Sequence, residues 1–534
     1  MLSTRSIGRG IAAALLALCA LPVGAQSFRV QCPTSTPTHQ NDPADPAANP
    51  AGGRIKCQQI SGGDGFATMG DGTQTYLFGF GPLSGLTKMA SGLPGTDVSS
   101  EFNQDNTTQA VDPIFIGAPV DQSDASVSAY TFNGAIGLVP DPQSVPTPGA
   151  LTGHVDPRLI MDVGVMNANQ PAPLMAIDED DEFFLTLTNV GQVMRPDLFE
   201  QHTVHFHGYP NASAFYDGVP DASIAINVGG SFTYYYLAPE AGTYFWHCHI
   251  SPPEHLQMGM VGQIYVRPRQ NRVESGSLRT ALITANQAAA GYPANPAGGL
   301  PAQPNGTGLA CSDILCTGQT PAPPASATAT GAPGVKYAYN DGDGSTRYDV
   351  EYPLQIHGFD PNFHFVGMTF NPESFTDMKD KYFLLNGRSY PDTVSSGTMV
   401  TQSTDGTLHA SQPLPSAINI PAGGRALLRL ADLDGTEYQT LASLGIRMHV
   451  VGLNARLLRD MAGNDMTYFT NSITLAGGES LDVILDATGY TAGQKFYLYT
   501  PNLDHLSNDA ENFGGLMTEV NICNSVDPAT KVCL

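Results

Sequence analysis

From residue 76 onward the chain is written as short apolar runs separated by clusters of Gly, Pro, Asn and Asp. Long helical periodicity is scarce, and runs bounded in this way predict β-strands. Strands are expected at 76–80, 183–189, 231–236, 242–246 and 261–266. A second series is expected at 382–387, 425–430, 480–485, 496–500 and 516–520. Both series end alike, with a strand, a His-containing loop, a Gly-rich return and a final strand. The pattern predicts an all-β protein in which one Greek-key barrel or sandwich occurs twice.

The rest of the chain is organised around these two blocks. Residues 1–25 read as an export signal, with Arg5 and Arg9 ahead of the apolar run 11–21 and small residues at Val23, Gly24 and Ala25. Neither that run nor any other is long enough to span a bilayer. Residues 26–74 are rich in Gly and Asp and are expected to form a loose leader. The first domain is expected at 75–285, with its core at 157–267. Residues 286–335, dominated by Ala, Pro, Gly and Thr, read as a linker, and 336–534 as the second domain. Residues 340–345 (Asn-Asp-Gly-Asp-Gly-Ser) lack the Gly and Glu positions of a calcium loop and read as a polar turn.

The chemistry concentrates in Trp246-His247-Cys248-His249-Ile250-Ser251-Pro252-Pro253-Glu254-His255-Leu256-Gln257-Met258-Gly259-Met260. Cys248, His255 and Met260 offer a thiolate, an imidazole and a thioether, and His202 of the upstream segment His202-Thr203-Val204-His205-Phe206-His207-Gly208 can add a second imidazole. Two His and one Cys with a weak axial Met form the ligand set of a blue copper centre. Met258 competes with Met260 for the axial place, and the spacing from His255 favours Met260. His247 and His249 alternate with Cys248, so along a strand they face the other side. Together with His205 and His207 they define a second metal site behind the first.

Charge and cysteine count narrow the setting. The formal net charge of −25 argues against nucleic acid or an anionic membrane surface as a partner. It leaves open both cationic substrates, metal ions included, and simple solubility. Of eight cysteines, Cys19 leaves with the signal and Cys248 is a metal ligand. Six remain as the close pairs Cys32/Cys57, Cys311/Cys316 and Cys523/Cys533, paired on proximity alone. Disulfides suit a periplasmic or secreted protein.

The order His-x-x-His-x-His-Gly, His-Cys-His, His-x-x-x-x-Met resembles the multicopper oxidase superfamily, whose laccases, two-domain oxidases and copper nitrite reductases are built from cupredoxin barrels. Asp217-Gly218-Val219-Pro220 and Gly229-Gly230-Ser231-Phe232 resemble it as well. The resemblance implies tandem cupredoxin-like barrels. It implies type 1 copper at His202, Cys248, His255 and Met260, and a rear type 2/type 3 copper site at His205, His207, His247 and His249. Substrate would deliver electrons near His255, the ligand expected nearest solvent. The insert Pro252-Pro253-Glu254 departs from the family spacing and is expected to alter the loop over the copper.

The second block departs further. A complete trinuclear cluster needs more imidazoles than the first block carries, and His357, His364, His409, His449 and His505 form no His-x-His motif. The segment around His449 and the loop carrying His505 resemble those that supply active-site histidines in copper nitrite reductases. They read equally as a structural strand histidine and a surface loop residue. The leading expectation is therefore an exported copper-dependent oxidoreductase that passes single electrons from type 1 copper through His-Cys-His to a rear site reducing dioxygen. A nitrite-reductase-like type 1/type 2 enzyme and a non-enzymatic blue-copper carrier are the alternatives. The expected partners are a small reducing substrate or a redox protein, with dioxygen or nitrite as acceptor. A homotrimer is expected to complete the rear site, as a heterologous ring closing on itself.

Overall fold

The computed structural model describes residues 29–37, 39, 53–104, 133–139, 153–208, 213–238, 240–272, 336–368, 374–402, 408–460 and 463–534. The expected signal, the linker 286–335 and the Cys311/Cys316 pair lie outside the described residues. The first barrel comprises β1 (Ile55–Thr68), β2 (Gln74–Pro82), β3 (Met175–Asp178), β4 (Glu182–Gly191), β5 (His205–Phe206), β6 (Ser231–Leu237), β7 (Gly242–His247) and β8 (Val261–Arg267). One sheet runs β2-β1-β4-β6 and the other β3-β8-β7-β5. β1 lies parallel to β4 and β3 parallel to β8.

The second barrel comprises β9 (Val350–Phe359), β10 (Tyr382–Leu385), β11 (Ile418–Pro421), β12 (Arg425–Asp432), β13 (Gln439–Leu444), β14 (Met448–Leu453), β15 (Ser472–Leu475), β16 (Ser480–Asp486), β17 (Lys495–Tyr499) and β18 (Met517–Cys523). Its sheets run β10-β9-β12-β16-β14 and β11-β18-β17-β13-β15. The pairing repeats that of the first barrel. β9 is parallel to β12 and antiparallel to β10, as β1 is to β4 and β2. β18 is parallel to β11 and antiparallel to β17, as β8 is to β3 and β7. The molecule is a tandem of cupredoxin-like β-domains.

Two local outcomes differ from the expectations. The supposed loose leader contains β1, a long and mostly buried strand at the centre of the first sheet. Its Gly62-Gly63-Asp64-Gly65 run has the composition of a turn, yet pairing with β2 and β4 on either side holds it extended. Pro252-Pro253-Glu254 opens a helix, Pro252–Met258, rather than a loop. Proline suits the first helical turn because its missing N–H would have no partner there.

Cys32–Cys57 and Cys523–Cys533 are disulfide-bonded, and Cys248 is the free, buried cysteine among the described residues. The first ties the N-terminal segment to β1. One apolar core packs Phe78, Phe80, Phe206, Tyr234, Tyr236 and Trp246 around Cys248, Met258 and Met260. The barrels meet along β7, where Thr243 Oγ1 donates to Asp482 Oδ1 at 2.7 Å and Ser480 Oγ to the Thr243 carbonyl at 2.5 Å. In the same interface Gln263 Nε2 donates to the Arg429 carbonyl at 2.9 Å.

Candidate metal centre

β7 ends at His247, so Cys248 leaves the strand into the core of the first barrel. His202 lies on a loop stapled to Ile226 by reciprocal backbone bonds of 3.1 and 3.0 Å, and His255 lies on the helix Pro252–Met258. The ligand atoms of His202, Cys248 and His255 fall within 4.8 Å of one another, and all three residues are fully buried. His255 Nδ1 is 3.3 Å from the sulfur, and the Thr203 N–H points at it from 3.4 Å. Met260 is buried beside them. Its N–H donates to the His255 carbonyl at 2.8 Å, and its carbonyl accepts from the Cys248 N–H at 3.0 Å.

The electrostatics favour a thiolate. Burial alone would raise the Cys248 thiol, but His255 and His202 hold it well below its ordinary value. Burial opposes charge on His255 too, yet the Cys248 sulfur and Glu200 push it up to about 9. Burial drives His202 down against the pull of the Cys248 sulfur, and neither ring nitrogen has a nitrogen or oxygen hydrogen-bond partner. A buried imidazole with both nitrogens unpaired is costly, and a bound metal ion would remove that penalty. His255 is fully buried, as are His202 and Cys248. Glu200 stands between its Nε2, at 3.6 Å, and solvent.

Behind Cys248 a second cluster forms. The ligand atoms of His205, His207 and His247 lie within 4.8 Å of one another. His249 flanks them, its ring 5.1 Å from that of His205 and 5.5 Å from that of His247. His247 and His249 thus lie together, away from the pocket that holds Cys248, although only His247 belongs to the strand. His205 Nδ1 donates to the Asp217 carbonyl at 2.7 Å and His247 Nδ1 to the Cys248 carbonyl at 2.6 Å. A carbonyl can only accept, so both rings carry a proton on Nδ1, and in a neutral ring that leaves Nε2 as the acceptor. Burial and the neighbouring imidazoles lower His207 to about 4 and His247 to about 3, so both are neutral at ordinary pH.

A multicopper oxidase family model matches residues 153–271. Laccase abr2 of Aspergillus fumigatus is 33% identical over 109 residues, 20% of this chain and 17% of that laccase. Multicopper oxidase MCE of Talaromyces pinophilus is 32% identical over 112 residues, 21% of this chain and 17% of that protein. The copper-containing nitrite reductase of Rhizobium meliloti is 34% identical over 109 residues, 20% of this chain and 26% of the reductase. Over residues 153–271 the chain is similar to the multicopper oxidase family. Its matched segment holds both histidine clusters, although it spans only a small part of each relative.

The matched relatives include a multicopper oxidase and a copper-containing nitrite reductase, so copper is the candidate ion for this site. The front cluster suits it: a low-lying thiolate, an unpartnered imidazole and a thioether in a dry pocket. His357, His364, His449 and His505 of the second block are engaged otherwise. His357 lies between Gln170 Nε2 (2.9 Å) and the Leu256 carbonyl (3.0 Å). His364 contacts the carbonyls of Tyr76 (2.5 Å) and Gln257 (2.9 Å). His505 stacks on Phe383 and bonds Gln439, Asn502 and Glu437. His449 stacks on Phe469 and contacts Thr467 Oγ1 at 2.9 Å. His357 and His364 therefore hold the helix that carries His255, a role with no signal in the sequence. The 340–345 segment is a turn in which Asp341 accepts from Gln270, Gly344 and Thr346.

Proposed function

We propose that this protein is an exported copper-dependent oxidoreductase that accepts single electrons at the His202–Cys248–His255 site and delivers them to the rear histidine cluster, where dioxygen is the acceptor. The observation that carries the reading is the fully buried triad with its ligand atoms within 4.8 Å and His202 unpartnered. Copper bound there would supply one-electron redox chemistry with little rearrangement of its ligands. Met260, threaded by backbone bonds to both Cys248 and His255, is the axial ligand in this reading.

The chain's own residues then divide the work. The Thr203 N–H points at the sulfur and fixes its direction. Glu200 orients the outer edge of His255 and faces the side from which a small reducing substrate or a redox protein approaches. Cys248 and His247 are covalent neighbours, and the bond from His247 Nδ1 to the Cys248 carbonyl adds a short second connection. His205, His207 and His247, with His249 beside them, hold the rear copper.

A nitrite-reductase type of reaction is the second reading, favoured by the compactness of the three-imidazole cluster. The test is reduction of the holoprotein without oxygen, followed by air or nitrite. Air should restore the visible absorption in the wild type and do so at least about 100-fold more slowly in His247→Ala. Recovery with nitrite alone would replace the first reading by the second, and recovery unaffected by His247→Ala would remove the rear cluster from the electron path.

A further inference from the structure

We infer that the rear cluster is built within one chain for a single metal ion, held by His205, His207 and His247, and not for a trinuclear set. The inference rests on the proposed function for the identity of the metal, and on local geometry for its number. His207 Nε2 and His247 Nε2 are 3.0 Å apart. The His247 proton is on Nδ1, fixed by the Cys248 carbonyl. His207 Nδ1 faces the backbone of Gly478 in the second barrel. The contact is close enough that a Cβ at Gly478 would lie 2.8 Å from His207 Nδ1, and Gly478 has φ +89°. With its proton on Nδ1, a neutral His247 turns the Nε2 lone pair toward His207 Nε2, and the two nitrogens converge on one point. A cation bound there would take both as ligands.

The spacing also counts the ions. Two imidazole nitrogens at roughly 2.0–2.1 Å from one metal lie about 3 Å apart when they meet it near a right angle. Ions of a two-metal site sit roughly 3.5–4 Å apart and need separate ligand sets. Three converging nitrogens supply one such set. His249 is outside the group whose ligand atoms converge. The second barrel closes the site with the Gly478 backbone, and its histidines His357, His364, His449 and His505 are bonded elsewhere. A site of this kind needs no imidazole from a second copy, in contrast to the trimeric completion expected from sequence.

Total copper and electron paramagnetic resonance spin count on the oxidised full chain test this. The expectation is about two coppers per chain, both visible as spins, falling to one in His207→Ala with the thiolate absorption intact. His249→Ala should keep both. Gly478→Ala, which pushes on His207 from the other barrel, should lose or weaken the rear copper alone. Three or more coppers per chain, a spin-silent pair, or loss of rear copper in His249→Ala would overturn the inference. One copper with a normal thiolate band would overturn it too and leave the front site standing. Absence of the thiolate band would instead count against the functional reading.

Discussion

Each proposed ligand carries a distinct physical burden. His202, buried with two unpaired nitrogens, is the costliest without metal, whereas the Cys248 thiolate is stabilised by two imidazoles even before metal arrives. These residues are legible in sequence because they fall in two short motifs. Glu200 is not, since a carboxylate two positions before His202 gains meaning only when the loop folds over His255. The axial position is a sharp test. Met258 and Met260 are both buried, but Met260 alone is bonded through its backbone to two ligands. Met260→Leu should retain copper and raise the reduction potential by about 60 mV or more, a tenfold change in a one-electron equilibrium, because losing a weak donor disfavours Cu(II). Met258→Leu should leave the potential nearly unchanged. Redox titration decides, and the opposite ranking would move the axial role to Met258.

At the scale of elements, alternating strands such as β4, β6, β7 and β8 are read correctly from pattern, and β1 is not. Its glycines serve close approach, not turning: a Cβ at Gly62 would sit 2.7 Å from the His202 ring. Its Asp64 is fully buried, accepts from the Met194 N–H at 2.7 Å, and has one oxygen without a partner. Burial raises this carboxyl from 3.8 to about 6. The folded state therefore binds the proton more tightly than the unfolded state, and stability falls as pH rises through that window, then levels. Asp64→Asn should abolish this slope and stabilise the protein at pH 8 by ~3 kcal/mol, since each tenfold gain in proton affinity on folding corresponds to ~1.4 kcal/mol. Denaturant midpoints at pH 5 and pH 8 test it. An Asp64→Asn variant less stable than wild type at pH 8 would show that the ionised carboxylate is needed.

Across the whole molecule the second barrel acts as a clamp on the first. His357 and His364 grip the backbone of the His255 helix, and Gln257 on that helix donates to Asp380 Oδ1 at 2.9 Å. Sequence shows two repeats and five scattered histidines, but nothing in spacing says which histidines support the metal site from a distance. Such contacts join residues about a hundred positions apart and exist only once the barrels dock. His357→Leu leaves Gln170 Nε2 unpaired and removes one of two donors to the Leu256 carbonyl, which keeps the Gly259 N–H; at ~1–3 kcal/mol for a buried group left without its partner it should lower the melting temperature by several degrees. Calorimetry of the copper-loaded protein checks this, and an unchanged melting temperature would show that the helix is held without His357.

The central claim is that Cys248, between His202 and His255, binds copper as a thiolate. Visible absorption of the copper-loaded protein, with metal content measured on the same sample, tests it most directly for wild type and Cys248→Ser. The wild type should be intensely blue through sulfur-to-copper charge transfer, and Cys248→Ser should be colourless while retaining rear copper. A colourless wild type that holds its full copper, or a Cys248→Ser variant that stays blue, would contradict the assignment.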